Sequence, residues 1–242
     1  MQAREPIFNV PGVVQAVLAV MIAVHVGRQL MSPEDDLWLV YALAFIPARY
    51  AGLAAEIPGG EVAVWTSWVT HMFVHGDVVH LGLNAAWLLA FGGAIAPRIG
   101  AMRFLAFAAF CGIAGAATFL TVNPDSINPV IGASGAIAGL MGGTLRFLFS
   151  AFDQGGLQEL SNPRRRVPLM TLRETLTDRR VLFASAALVA INVAMMLGLA
   201  SDLSAGRIAW EAHLGGYFAG LFSFGLFDSD LKRSSNSQPN PD

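Results

Sequence analysis

Long apolar runs are the feature that most constrains how this chain can fold. A helix needs about 20 mostly apolar residues to cross a bilayer. Six stretches meet this need: Val13–Leu30, Val78–Ile95, Phe104–Val122, Val130–Phe149, Val181–Leu199 and Ile208–Phe227. Lipid offers the backbone no hydrogen-bond partners, so each run is predicted to be an α-helix. The sequence therefore predicts an all-α, multi-pass integral membrane protein, a bundle of six transmembrane helices.

The composition agrees with a membrane protein and excludes some other classes. The chain is 55% hydrophobic and only 13% charged, whereas soluble domains carry about 25% charged residues. A net charge of −2 provides no basic field, so no nucleic-acid partner is expected. The first run lacks a signal-peptide cleavage site and is expected to be retained as a span. The single cysteine, Cys111, lies in an apolar run and is interpreted as a core residue.

The distribution of basic residues predicts the orientation. With six spans both termini lie on one side, and that side holds twelve of the 15 Lys and Arg residues, including Arg164–Arg166. The other side holds only Arg28, Arg49 and Arg207. The positive-inside rule then places both termini in the cytoplasm. Residues 1–228 are interpreted as one membrane domain, and the polar residues 229–242 as a disordered tail.

The first connection, residues 31–77, is expected to lie partly in the outer leaflet. Aromatic residues favour the membrane interface, and this connection contains Trp38, Tyr41, Phe45, Trp65 and Trp68. Its segment Leu37–Tyr50 is apolar but short and contains Pro47, so it is interpreted as interfacial rather than as a seventh span.

Polar residues inside the runs predict a catalytic site. Ser134 stands in Gly132-Ala133-Ser134-Gly135-Ala136, His213 in the sixth run, and His80 and Asn84 in the second. In the predicted topology these runs begin on the outer side, so the four residues lie within about 9 Å of it at 1.5 Å per residue. Serine, histidine and amide donors are the parts of an acyl-transfer site.

Glycine spacing predicts that two of these helices pack closely. Gly135 and Gly139 are four residues apart in the fourth run, as are Gly216 and Gly220 in the sixth. Small residues at this spacing let membrane helices approach backbone to backbone. His213 lies three and seven residues before Gly216 and Gly220, which places it on the packing face and within reach of Ser134.

Other interpretations of the polar residues are weighed against this one. His71, His75 and His80 invite a metal or haem hypothesis, but Asp77 is the only nearby acid, so no metal and no cofactor are expected. Asn84 has an alternative role as a hydrogen-bonded tie between helices. Glu211 is two residues from His213 and points away from it, which favours a Ser–His dyad.

Four motifs together resemble the rhomboid family of intramembrane serine proteases. They are His71-Met-Phe-Val-His75, His80-Leu-Gly-Leu-Asn84, Gly132-Ala-Ser134-Gly135 and Ala212-His213-Leu-Gly-Gly216-Tyr-Phe-Ala-Gly220. The resemblance extends from the first span to the sixth. It implies a cavity that opens outward, Ser134 as nucleophile and His213 as general base. It also implies that His80, Asn84, the Gly132 motif and the N–H of Ser134 bind the oxyanion and substrate.

The resemblance implies transmembrane protein substrates and, for a bacterial member, the cytoplasmic (inner) membrane; the oligomeric state stays open. Two positions depart from the family pattern. Residues 65–70 lack the arginine of a Trp-Arg pair that many members carry in this connection, and Ala138 replaces a tyrosine that stacks on the histidine in some members. Tyr217, four residues after His213, is one candidate for orienting it.

Two further functions remain open at this point. A rhomboid-like protein that binds membrane segments without cutting them would share the fold, although the intact Ser134 and His213 argue against it. A small transporter or channel using the histidines would be expected to show paired half-spans and deep acidic residues, which the sequence lacks.

Overall fold

The computed structural model describes residues 10–156, 167–197 and 209–228. Within them the helices are α1 (Gly12–Gln29), α2 (Pro33–Leu43), α3 (Gly60–Thr70), α4 (Val78–Ile99), α5 (Ala101–Val122), α6 (Ser134–Gln154), α7 (Leu172–Thr177), α8 (Arg179–Met196) and α9 (Trp210–Phe227). Over these ranges the all-α prediction is confirmed, since the β pairing there is one isolated bridge between Phe45 and Val130. The predicted tail and the Arg164–Arg166 cluster lie outside the described residues.

Four of these helices are long and apolar enough to cross a membrane: α1, α4, α5 and α6. About 67% of the apolar part of α6 is buried, against 22–33% in the other three, so α6 is the central helix of the bundle. Helices α8 and α9 coincide with the fifth and sixth predicted spans. The count of six spans stays a prediction.

Helix α4 is positioned by its first turn. The carboxylate of Asp77 caps it by accepting a hydrogen bond from the backbone N–H of His80 at 2.8 Å. That hydrogen bond holds the pKa of Asp77 below its usual range.

Further along α4, residues Leu88–Gly92 form a π-helical turn. Such turns are often found near functional sites, and apolar periodicity did not predict this one.

Helices α6 and α9 touch backbone to backbone. A Cβ atom added at Gly216 would collide with the carbonyl oxygen of Gly135, and one at Gly220 with that of Gly139. Gly139 in turn leaves room for Cys111 of α5, which is fully buried. Contacts of this kind fix the register of α9 on α6.

The first connection contains a buried aromatic cluster. Phe45 is fully buried, and its ring lies 4.6 Å from that of Trp68 and 5.5 Å from that of Tyr50. Its backbone pairs with Val130 through two hydrogen bonds of 2.9 and 3.0 Å, just before α6. Among the aromatics expected at the interface, Phe45 and Trp68 thus pack inward, whereas Trp65 is 79% exposed. The segment Leu37–Tyr50, predicted as interfacial, begins within α2 and continues into a stretch in which Ala44, Ile46 and Ala48 are buried.

A buried arginine holds the same connection together. Arg49 is only 2% exposed, and its guanidinium donates hydrogen bonds to the carbonyls of Tyr41, Ile57 and Pro58. Burial lowers the pKa of Arg49, but a guanidinium stays charged. These hydrogen bonds anchor the connection through an arginine outside residues 65–70, the stretch that lacks the arginine of the Trp-Arg pair.

Arg49→Met should destabilise the protein by at least about 2 kcal/mol. A buried acceptor left without its donor costs roughly 1–3 kcal/mol, and the carbonyls of Tyr41 and Pro58 would lose theirs, whereas that of Ile57 also accepts from the N–H of Gly60. Thermal unfolding in detergent measures the effect, with Arg103→Met at an exposed arginine as the matched control. Equal melting temperatures for the two variants would contradict the anchoring role.

Candidate active site

Ser134 is the first residue of the central helix α6. Gly132, two residues earlier, has a φ of +107°, a left-handed conformation that favours glycine. The N–H of Gly132 donates to the carbonyl of His71 at 2.9 Å, which fixes the entry to the helix. The first N–H groups of an α-helix lack intrahelical acceptors and form the positive end of its dipole. Ser134 therefore lies where negative charge is stabilised.

His213 lies beside this serine. Its Nε2 atom is 2.8 Å from Ser134 Oγ, and both residues are partly exposed. The register of α9 accounts for the distance, because His213 precedes Gly216 by one turn and Ser134 immediately precedes Gly135. The geometry is that of a nucleophile and a base in hydrogen-bond contact.

A residue that sequence reasoning missed also contacts His213. Asn192 of α8 is buried, and its Oδ1 is 3.1 Å from His213 Nδ1. The available signal was an asparagine inside the fifth apolar run, since polar residues within membrane spans are often functional. Sequence alone does not reveal which helix this side chain faces.

His80 lies next to the Gly132 turn. A Cβ atom at Gly132 would be 2.6 Å from His80 Nε2, so only glycine leaves room for the ring. His80 Nδ1 accepts a long hydrogen bond of 3.4 Å from the N–H of Gly76. That bond favours the tautomer with a proton on Nε2, which makes this nitrogen a donor beside the turn that precedes Ser134.

Asn84 is buried one helical turn after His80. Its Nδ2 donates to the carbonyl of His80 at 2.9 Å, and its buried Oδ1 has no partner within the described ranges. The bond stays within α4, so it does not tie two helices together. The second N–H of the amide remains available as a donor.

Asn84→Ala should lower kcat by about 10–1000-fold, the usual loss when one oxyanion donor is removed. If Asn84 were instead structural, turnover per folded molecule would stay normal and the stability would fall by about 0.6–2 kcal/mol. Measuring kcat per folded molecule and melting temperature on one preparation separates the two roles. A lowered melting point with normal turnover would remove Asn84 from the site.

Glu211 and Tyr217, two other polar residues of α9, form hydrogen bonds with residues other than His213. Glu211 Oε1 accepts a hydrogen bond of 2.9 Å from Asn123, as expected for a side chain pointing away from His213. The Tyr217 hydroxyl lies 2.5 Å from Ser185 Oγ, so its polar end is directed at α8. Its hydroxyl therefore does not orient His213.

His71 and His75, the two histidines of the His71-Met-Phe-Val-His75 motif, are both buried. Burial lowers the pKa of His71 and that of His75 to about 4, which keeps both rings neutral. His71 Nδ1 is 2.7 Å from the carbonyl of Ser67 and donates to it. In the part of the chain that the structure describes, no three His, Cys, Asp or Glu side chains are grouped so as to hold a metal ion.

Comparison with known families decides the classification. The rhomboid domain model matches residues 62–228, which is more than half of the chain and includes every candidate site residue. The chain belongs to the rhomboid family. A curated relative, rhomboid protease GlpG from Haemophilus influenzae, is 23% identical over 217 residues, which covers 90% of this chain and 91% of the relative.

Family membership and the apolar helices identify this rhomboid as an integral membrane protein. The match and the relative support intramembrane proteolysis as the class of activity. Residues 10–61, which contain α1, α2 and Arg49, precede the matched domain.

Proposed function

We propose that this rhomboid is a serine endopeptidase that cleaves transmembrane segments of other membrane proteins near their outer ends. The observation that carries the proposal is the 2.8 Å contact between Ser134 Oγ and His213 Nε2 at the N-terminus of the central helix. Both side chains are partly exposed, and hydrolysis requires that this exposure be to water.

In the acylation step, Ser134 acts as the nucleophile and His213 as the general base. His213 Nε2 takes the hydroxyl proton of Ser134 as Oγ forms a bond to the scissile carbonyl carbon. The carbon–nitrogen bond then breaks, and His213 returns the proton to the leaving amine. In the second half, water attacks the acyl carbon and gives one proton to His213 Nε2. His213 then passes that proton to Ser134 Oγ as the ester bond breaks, which releases the new carboxyl end and restores the serine hydroxyl.

The oxyanion of each tetrahedral intermediate needs fixed donors. The N–H of Ser134, the Nε2–H of His80 and the free N–H of Asn84 are the candidates. Donors of this kind are worth about 3–4 kcal/mol each in comparable enzymes. Gly132 contributes by admitting the His80 ring, since its own N–H is already bonded to His71.

The proposed topology has six spans with both termini in the cytoplasm, in the inner membrane of a bacterium. The charge distribution supports the orientation, and the bacterial relative supports the compartment. Cysteine labelling in a Cys111→Ala background should reach position 125 from outside and position 165 only from the cytoplasmic side. External labelling at 165 would contradict the orientation.

The test is cleavage in proteoliposomes of a panel of single-span membrane proteins. Wild-type protein should produce fragments whose new ends, mapped by mass spectrometry, lie near the outer end of the span, and Ser134→Ala should produce none. Equal fragments from Ser134→Ala would overturn the proposal. Retention of uncut substrates by wild-type protein, without fragments, would favour the non-cutting alternative.

A further inference from the structure

His213 has two polar contacts, one on each ring nitrogen. Nε2 faces Ser134, and Nδ1 lies 3.1 Å from Oδ1 of Asn192, which is only 1% exposed. Asn192 belongs to α8, so serine, histidine and asparagine come from three separate helices. A buried polar side chain inside an apolar helix is costly unless it is paired.

The second bond of Asn192 fixes which way its amide points. Its Nδ2 donates to the carbonyl of Leu188, one turn earlier in α8, at 2.9 Å. Rotating the amide by half a turn would set Oδ1 against that carbonyl oxygen and Nδ2 against the imidazole. The observed arrangement therefore directs an acceptor at His213 Nδ1.

An acceptor at Nδ1 determines the tautomer of the imidazole. Nδ1 must carry the proton to donate to Asn192, and Nε2 then presents its lone pair to the Ser134 hydroxyl. That is the form a general base needs. The opposite tautomer would direct an N–H at the serine and could not accept its proton.

Two other positions that were candidates for orienting His213 form no hydrogen bond with its imidazole. Ala138 offers only a methyl group where some family members stack a tyrosine on the histidine. The Tyr217 hydroxyl is engaged with Ser185. Asn192 is thus the described side chain, apart from Ser134, that bonds to the imidazole.

We propose that Asn192 is a positioning residue that holds His213 in its catalytic tautomer and orientation and so extends the pair to Ser134–His213–Asn192. The inference rests on the proposed function for its kinetic consequence. Its structural content, the tautomer of His213, holds independently of whether a given substrate is cut.

Two substitutions separate positioning from packing. Asn192→Leu removes the acceptor but keeps a similar volume, and should lower kcat at least about tenfold with KM changed by less than about twofold, because a wrongly held base is lost to the chemical step. Asn192→Asp in its protonated form can donate to the Leu188 carbonyl with one oxygen and accept from Nδ1 with the other, so it should restore kcat to within about threefold of wild type. Recovery by the acceptor-bearing variant is not expected of a residue that only fills space.

Ser185→Ala is the matched control. It breaks the other side-chain hydrogen bond between α8 and α9, to Tyr217, without touching His213. Its kcat per folded molecule should equal that of wild type even where its melting temperature falls. If Asn192→Leu behaves like Ser185→Ala, Asn192 is structural and the inference is overturned.

Nitrogen NMR of the histidine rings tests the inference without any substrate. In full-length wild-type protein labelled with ¹⁵N-histidine, the neutral ring of residue 213, assigned by its absence from His213→Gln, should show a protonated Nδ1. Asn192→Leu should show a mixture of tautomers. The same single tautomer in both proteins would overturn the inference. If wild-type protein cleaves nothing, the proposed function fails, yet this spectrum still decides the role of Asn192.

Discussion

His213→Ala should reduce the turnover of a transmembrane substrate by at least about 10⁴-fold, the scale seen when one member of a serine–histidine pair is removed. The reason is the 2.8 Å contact between Nε2 and Ser134 Oγ, since a serine hydroxyl without a base in contact is a weak nucleophile. Turnover per folded molecule is measured by fragment release from proteoliposomes. KM should change little, because His213 acts on the proton rather than on substrate binding.

His25→Ala provides a control for the loss of a buried histidine. His25 lies in α1 and is even less exposed than His213, and among the described residues it forms no hydrogen bond with Ser134. This variant should keep a kcat near that of wild type. Should His213→Ala retain more than about a tenth of wild-type turnover, the assignment of His213 as general base would be wrong.

Gly220→Ala should destabilise the fold by at least about 3 kcal/mol, more than overpacking of a deformable core usually costs. A methyl group at position 220 would collide with the carbonyl oxygen of Gly139, which is backbone and cannot move aside. Helix α9 would have to move away from α6, and His213 would move with it. Melting temperature and cleavage rate should therefore fall together.

Gly27→Ala is the matched control for this substitution. Gly27 is also helical, but a Cβ atom there meets nothing within 4 Å. Because alanine favours helix over glycine by about 0.8–1 kcal/mol, stability should stay the same or rise slightly. A Gly220→Ala protein that melts and cleaves like Gly27→Ala would show that the close approach of α6 and α9 is not needed.

Much of the site follows from local patterns in the sequence. Apolar runs predicted where the helices lie, because lipid-facing and core-facing positions in a membrane helix are both apolar. Glycine spacing predicted the face on which α6 and α9 meet, and hence that His213 would be near Ser134. These inferences need only the period of one helix and the size of one side chain.

Three features depend on contacts between distant segments and were not predictable in this way. Arg49 looked like one of the few outer-side charges, yet it is buried among carbonyls eight or nine residues away along the chain. The inward packing of Phe45 depends on its pairing with Val130, 85 residues later in the sequence. Asn192 meets His213 only because α8 packs on α9, and helix periodicity does not determine which neighbour a helix chooses.

Covalent labelling of Ser134 tests the central claim most directly. A fluorophosphonate probe reacts with a serine that a neighbouring base has activated, so it should modify wild-type protein at Ser134, identified by mass spectrometry of the labelled peptide. Ser134→Ala and His213→Ala should both remain unlabelled, whereas Ser185→Ala should be labelled like wild type. Equal labelling of wild-type and Ser134→Ala protein, or full labelling of folded His213→Ala, would contradict the claim that His213 activates Ser134.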